Sequence, residues 1–134
     1  MSQVGNTGQF EVADWRRQID VAAQASIDGF ALNFGRKDDS YEKQLDNAFQ
    51  AASGTSFKLF FSFDYAGAYT GGGPWNASEV DALLSRYASH SSYFHQGSQP
   101  LVSTFEGIAQ SSQWKDLKQK YNCFFIPSCK FSLL

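Results

Sequence analysis

Cysteine and proline are scarce in this chain. Its 134 residues include two cysteines, Cys123 and Cys129, and three prolines. Two cysteines are too few for the disulfide framework of a small secreted scaffold, and their spacing matches no zinc-binding pattern. We therefore expect no metal site and no cofactor. The sequence leaves open whether both thiols stay reduced or Cys123 pairs with another part of a longer protein.

Excess positive charge and long apolar runs are also missing. Eleven basic against thirteen acidic side chains leave a net charge of −2, whereas nucleic-acid binding depends on a basic surface. No apolar run approaches the roughly 20 residues that span a bilayer. The first residues lack both the basic start and the apolar stretch of a signal peptide. We therefore expect no nucleic-acid partner, no membrane segment and no signal peptide in this chain.

Aromatic side chains, by contrast, are abundant. The chain has 13 Phe, 6 Tyr and 3 Trp, and 43% of its residues are apolar. This composition is too apolar for a disordered chain, and the length is typical of one domain. The sequence therefore predicts a single domain over residues 1–134 that folds around a core.

Helical and strand patterns alternate along the sequence. Apolar residues recur every three or four positions in four predicted helices, at residues 12–25, 41–53, 78–89 and around Trp114. Short apolar runs predict strands after a first-strand remnant, at residues 29–34, 58–63, 101–105 and 123–126, with Pro100 preceding the fourth strand and Pro127 closing the fifth. The run at 58–63 is nearly continuous, which is typical of a strand covered on both faces. The predicted class is α/β, with about five parallel strands and four helices.

Polar side chains fall at the predicted carboxyl ends of the strands. Asn6 follows the strand remnant, Asn33 lies near the end of the second strand, Asp64 ends the third and Glu106 ends the fourth. These ends share one edge of a parallel sheet, which is where such folds bind substrates. Asp64 and Glu106 on adjacent strands suit the paired carboxylates of a glycosidase, although spacing alone assigns no roles. The alternative for each position is a turn former or a helix cap.

The long connection after Asp64 is rich in aromatic residues. Tyr65, Tyr69 and Trp75 share it with three consecutive glycines at 71–73. Aromatic rings beside a carboxylate suit stacking against the apolar face of a sugar, which makes Tyr65 and Trp75 candidate substrate-binding residues. The alternative is that Trp75, next to Pro74, packs down as a loop anchor.

Two further motifs are weaker indications of function. His90 and His95 lie in a serine-rich stretch and are interpreted as a solvated turn rather than a metal pair. Asn76-Ala77-Ser78 fits the acceptor pattern for N-glycosylation, which matters only after secretion.

Six segments, taken in order, match a known family. They read VGNT at 4–7, ADW at 13–15, DGFALN at 28–33, QLDNAF at 44–49, FKLFFSFDY at 57–65 and VSTFEG at 102–107. Together they closely resemble glycoside hydrolase family 71, the fungal α-1,3-glucanases or mutanases. The resemblance implies a (β/α)8 TIM barrel that hydrolyses α-1,3-glucan, a fungal cell-wall and biofilm polysaccharide, with inversion. It also implies an extracellular or cell-wall location for the intact parent.

The chain also departs from this family. A barrel of this kind needs about 250 residues, so we expect residues 1–134 to form a truncated barrel domain. The family carries an Asp-x-x-Glu catalytic pair on a later strand, and no position here matches it. The resemblance therefore places that pair outside this chain, with Asp64 and Glu106 lining the sugar cleft.

Two hypotheses about function follow. The first is a polysaccharide hydrolase of this family. The second, which we favour for this polypeptide, is a noncatalytic partial barrel or truncated gene product that at most binds glucan through Asp64, Tyr65 and Trp75. Stopping after five strands leaves unpaired edges, which predicts self-association. It also predicts uncovered apolar side chains at Phe60, Phe61, Phe63 and Phe105 or at their neighbours.

Overall fold

The computed structural model describes residues 2–38, 40–66 and 72–128. The elements in chain order are β1 (Ser2–Gln3), a 3₁₀ turn (Val4–Thr7), α1 (Val12–Gln24), β2 (Gly29–Gly35), α2 (Tyr41–Ala52), β3 (Lys58–Asp64), α3 (Ala77–Tyr87), β4 (His95–Gln96), β5 (Gln99–Phe105), a second 3₁₀ turn (Ile108–Gln110), α4 (Ser111–Tyr121) and β6 (Phe124–Ser128). The predicted α/β class is confirmed. Within these ranges, no helix combines the length and apolar character needed to cross a bilayer.

Five strands form one parallel sheet in the order β1-β2-β3-β5-β6. Each step from one strand to its neighbour passes through one of the four helices. This order is that of successive βα units around a barrel, so the described part of the chain is a partial (β/α)8 barrel. The short strand β4 pairs antiparallel with β5 through His95 and Pro100.

Local sequence sets where the helices begin and end. At the start of α3, the Glu79 amide donates to Asn76 Oδ1 at 3.0 Å, and the Asn76 amide donates to Glu79 Oε2 at 3.2 Å. This reciprocal pair is a capping box. After α2, Gly54 adopts a φ of +76°, a left-handed conformation that ends helices and favours glycine.

One face of the sheet, here called the helix face, packs against the helices. Leu32, Phe34, Phe61 and Phe63 are all 0% exposed. They belong to one core cluster with the helix residues Trp15, Leu45, Phe49, Leu84 and Trp114. Fully burying a side chain of this size contributes about 1.5–3 kcal/mol, so most of the apolar stabilisation lies on this side.

The alternate strand residues form the opposite face, here called the open face. Asn33 and Ser62 are paired across β2 and β3, and the Asn33 side chain donates to Ser62 Oγ at 3.2 Å, so both lie on the same side. By strand alternation, this side also carries Phe60, Phe105, Phe124 and Ile126. Phe60 and Phe105 are half-buried, whereas Phe124 is 41% exposed and Ile126 is 47% exposed.

The structure corrects two expectations about coverage. Phe61 and Phe63 are not uncovered, because strand alternation sends both to the helix face, where they are 0% exposed. Coverage of β3 is also unequal, since its helix-face residues are fully buried while Phe60 is half-buried. The under-covered apolar side chains are therefore those of the open face.

Two of the three prolines, Pro100 and Pro127, lie within strands rather than beside them. Pro100 is the second residue of β5 and pairs with His95 of β4, while Pro127 pairs with Thr104 inside β6. Among the described strands, β6 pairs with β5 alone. A strand with one free side tolerates a residue that has no amide hydrogen.

Candidate functional site

The two candidate carboxylates stand on neighbouring strand ends. Asp64 is the last residue of β3, and its register partner on β5 is Phe105, the residue before Glu106. The Tyr65 amide donates to the Phe105 carbonyl at 2.9 Å, which continues the pairing one residue beyond Asp64. Paired strands lie about 4.8 Å apart, so the backbones that carry the two carboxylates are in direct contact.

Asp64 also shapes the loop that follows it. The half-buried side chain accepts a hydrogen bond through Oδ1 from the Ala66 amide at 2.8 Å. A bond to the backbone two residues on is an Asx turn, which is the turn-former alternative for this position. Asp64 therefore has a local structural role in addition to its place at the sheet edge.

Glu106 lies in a tight left-handed turn. Its φ is +58°, and Gly107 follows with a φ of +89°. A Cβ on Gly107 would lie 2.6 Å from Cγ of Tyr65, so the Tyr65 ring leaves space only for glycine. Holding a non-glycine residue in this region costs on the order of 1 kcal/mol, and such strain is concentrated at functional sites. The backbone turns sharply at the point where Glu106 joins the rim.

Asn33 lies one layer below Asp64 on the open face. The register pairs Gly35 with Asp64, and Asn33, two residues earlier in β2, with Ser62. Asn33 is 6% exposed, and its Nδ2 also donates to the Ser62 carbonyl at 3.3 Å. It therefore braces β2 against β3 and forms a polar floor beneath the rim.

Asn6 is at the outer end of the same edge. It lies in the 3₁₀ turn directly after β1, and its side chain is exposed. Strand β1 joins the sheet through the pairing of Gln3 with Asn33. The carboxyl edge thus carries Asn6, Asp64 and Glu106 in strand order, with Asn33 below.

Tyr65 is buried rather than displayed at the rim. It is 6% exposed, its ring packs on Gly107, and its hydroxyl accepts a hydrogen bond from Gln113 Nε2 on α4. Burial raises the pKa of its phenol from 10.0 to about 12. Gln113 also donates to the Trp75 carbonyl at 3.3 Å. No motif marks a lone glutamine on a helix, so sequence reasoning missed Gln113.

Trp75 is 1% exposed on the helix face. Its ring contacts three others edge-on at centroid distances of 5.5–5.6 Å, those of Phe34, Tyr41 and Phe63. This is the position expected for a loop anchor, and it leaves no exposed ring face for a sugar. Tyr69 and Gly71 lie outside the described residues, so stacking by Tyr69 stays a prediction.

Two rim loops are fastened to each other. Arg36, after β2, places Nε 2.8 Å from the carboxylate of Glu79 on α3. A Cβ on Gly72 would lie 2.9 Å from the Lys37 amide nitrogen, so the β3–α3 loop touches the β2–α2 loop. These contacts hold the loop that follows Asp64 against the neighbouring β2–α2 loop.

The histidines make local contacts. The Ser92 amide donates to His90 Nδ1 at 3.0 Å, and His95 Nδ1 lies 2.9 Å from the Tyr93 carbonyl. Among residues 2–38, 40–66 and 72–128, no group of three or more His, Cys, Asp or Glu side chains is arranged to hold a metal ion. Cys123 is buried, and burial raises its thiol pKa to about 11. Cys129 lies outside the described residues.

The fold and the site together define a class of protein. A partial (β/α)8 barrel with acidic and amide side chains at its carboxyl edge is part of the scaffold on which barrel enzymes build active sites. The family model for glycosyl hydrolase family 71 matches residues 1–132, and the chain belongs to this family. The resemblance found in its motifs is confirmed.

Two curated relatives match most of this chain. A mutanase of Penicillium rubens is 32% identical over 116 residues, which cover 87% of this chain and 25% of the mutanase. A glucan endo-1,3-alpha-glucosidase of Schizosaccharomyces pombe is 32% identical over 117 residues, which cover 85% of this chain and 26% of that enzyme. The chain therefore spans about a quarter of the length of these curated relatives.

Proposed function

We propose that this chain forms part of the substrate cleft of a hydrolase that cleaves α-1,3-glucan. The observation that carries the proposal is the placement of Asp64 and Glu106 on hydrogen-bonded neighbouring strands at the carboxyl edge. The names of the two relatives, a mutanase and a glucan endo-1,3-alpha-glucosidase, support the substrate. Because the substrate is a wall or biofilm polysaccharide, we propose an extracellular or cell-wall location.

The proposed chemistry follows from the carboxylates. Glycosidases use one acid to protonate the departing sugar oxygen, and an inverting enzyme uses a second carboxylate to activate water. Asp64 and Glu106 line the cleft in this proposal and assist that chemistry, while the main acid pair belongs to a later part of the barrel. Asn33 and Asn6 supply amide groups for sugar hydroxyls. Tyr65 supports the rim from beneath.

The second candidate is binding without catalysis. The burial of Tyr65 and Trp75 removes two of the rings that a glucan-binding surface would use, so binding would rest on Asp64, Glu106 and the asparagines. We propose that the 134-residue chain by itself binds α-1,3-glucan at most and does not hydrolyse it. Incubation of the purified chain with α-1,3-glucan, followed by assay of reducing sugar, tests this. Measurable turnover would contradict it.

A chimeric enzyme tests the proposed function directly. The matched 116 residues of the Penicillium rubens mutanase are replaced by the corresponding segment of this chain. We expect a cooperatively melting chimera that hydrolyses α-1,3-glucan and releases the β-anomer first, as seen by proton NMR. Release of the α-anomer would contradict inversion. A folded chimera that degrades another polysaccharide but not α-1,3-glucan would contradict the substrate.

Asp64→Asn in the same chimera isolates the charge of the carboxylate. An asparagine keeps the oxygen that accepts from the Ala66 amide, so the Asx turn survives. We expect kcat/KM to fall about tenfold or more, because a charge-assisted hydrogen bond contributes roughly 1.5–3 kcal/mol. Asp20→Asn, on the exposed surface of α1, is the matched control and leaves kcat/KM unchanged. Equal kinetics in both variants would leave Asp64 only its turn-forming role.

A further inference from the structure

Asn76-Ala77-Ser78 is an acceptor sequence for N-glycosylation that the proposed cleft does not use. None of the other asparagines, Asn6, Asn33, Asn47 and Asn122, is followed two residues later by serine or threonine. The sequence therefore has one acceptor position for N-glycosylation, Asn76. Asn76 and Ser78 are both exposed where the β3–α3 loop meets α3.

The hydrogen bonds of the Asn76 side chain use its oxygen. Oδ1 accepts from the Glu79 amide at 3.0 Å and from Ser78 Oγ at 2.8 Å. A glycan is attached to the side-chain nitrogen, Nδ2, so attachment leaves both of these bonds in place. The helix cap and the modification are therefore compatible in one folded structure.

The surroundings of Asn76 hold its backbone while leaving its side chain in solvent. Trp75, the preceding residue, is 1% exposed and anchored in the core. Glu79, on the first turn of α3, is paired with Arg36 across the rim. A sugar on Asn76 therefore extends outward from a fixed point beside the carboxyl edge of the sheet.

We propose that Asn76 is N-glycosylated when the chain passes through a eukaryotic secretory pathway. This inference rests on the proposed function to the extent that an extracellular substrate requires secretion. The co-reactant is an oligosaccharide joined to a lipid diphosphate. Nδ2 attacks the anomeric carbon, the new C–N bond forms, and the C–O bond to the diphosphate breaks. The lipid diphosphate leaves with the electron pair, and Nδ2 releases one proton to a base.

The test uses the whole 134-residue chain with an added secretion signal, expressed in a eukaryotic cell. The recovered protein is treated, without denaturant, with an amidase that hydrolyses the Cγ–Nδ2 bond of glycosylated asparagine, which releases the whole glycan and leaves an aspartate, and its mass is measured. We expect the wild-type mass to fall to that of the bare chain with an aspartate at position 76, because an exposed Asn76 leaves the glycan accessible. Ser78→Thr, which preserves the acceptor sequence, keeps this shift.

Two variants separate the modification from the helix cap. Asn76→Asp keeps an oxygen that caps α3 and removes the nitrogen, and Ser78→Ala removes the acceptor hydroxyl. Both are expected to lose the mass shift completely. An untreated wild-type chain at the bare mass, or a shift that persists in Asn76→Asp, would overturn the proposal. The readout requires no glucan hydrolysis, so an inactive chimera with a glycan at Asn76 would count against the proposed function alone.

Discussion

Phe60 and Phe61 are neighbours in β3, yet they have different surroundings. Phe61, on the helix face, is 0% exposed and contacts the rings of Phe34, Phe49, Phe63, Tyr87 and Tyr93. Phe60, on the open face, is half-buried against Phe94 at a centroid distance of 6.4 Å. The helix face holds the structure together, while the open face carries the polar rim together with apolar surface that has little cover.

The largest expected effect concerns that uncovered surface. At about 25 cal/mol per Å², a few hundred Å² of wet apolar area corresponds to roughly 5–10 kcal/mol, comparable with the stability of a whole domain. We therefore predict that the 134-residue chain self-associates through the open face. Light scattering after size-exclusion chromatography measures the oligomeric mass.

A pair of double variants assigns the association to a face. Phe124→Lys with Ile126→Lys charges the open face and should shift the chain toward monomer. Val21→Lys with Ile27→Lys changes side chains that are 63% and 47% exposed on the outer side of the molecule, and should leave association unchanged. A monomeric wild-type chain with a sharp cooperative melt would contradict the prediction.

Truncation of the two adjacent phenylalanines measures the difference between the faces. In the lysine variant of the open face, Phe61→Ala should lower the free energy of unfolding by about 3–5 kcal/mol, because it opens a cavity in the core. Phe60→Ala should lower it by about 0.75–1.5 kcal/mol, half the value of a fully buried side chain. Guanidinium unfolding curves provide both values. Equal losses would show that the two faces are packed alike.

The last prediction concerns the response of Tyr65 to alkali. Its pKa of about 12 in the folded chain lies above the ordinary value of 10.0, so the folded state keeps a proton that the unfolded state releases. The resulting stability is present below pH 10 and is lost as the pH rises towards 12. The difference in unfolding free energy between wild type and Tyr65→Phe should be constant from pH 7 to 9 and shrink above pH 10.

Tyr65 is one of several tyrosines that lower the stability of the folded chain at high pH. Burial also raises the pKa values of Tyr87 and Tyr93. The Tyr65→Phe variant should therefore still lose part of its unfolding free energy above pH 10. A wild-type-minus-variant difference that stays flat to pH 12 would show that the Tyr65 hydroxyl is solvated, contrary to its 6% exposure.

Much of the fold could be predicted because its signals are long and periodic. The helix patterns at residues 12–25 and 41–53 end within one residue of α1 and α2. Strand β4 has only two residues, too few for any period, and was missed. Pro100 and Pro127 were both placed beside strands. Among the described strands, β6, which contains Pro127, pairs with β5 alone, and sequence cannot show that one side of a strand is free.

The site was predictable where it depends on topology. Parallel strands bring their carboxyl ends together, which is why the sequence alone places Asp64 and Glu106 at the ends of adjacent strands. The directions of Tyr65 and Trp75 could not be inferred in this way. The Tyr65 hydroxyl is hydrogen-bonded to Gln113, which is distant in the sequence. Trp75 packs among the core rings of Phe34 and Phe63. Contacts with residues so far away in the sequence produce no local pattern.

The contact between Tyr65 and Gly107 also limits how this sequence can vary. With Cγ of Tyr65 2.6 Å from a Cβ at position 107, no side chain can be added there while the aromatic ring remains. A smaller side chain is therefore needed at position 65 before any residue other than glycine fits at position 107. Because Glu106 is adjacent, a change in the turn that presents this carboxylate is tied to a change in Tyr65, the residue that follows β3.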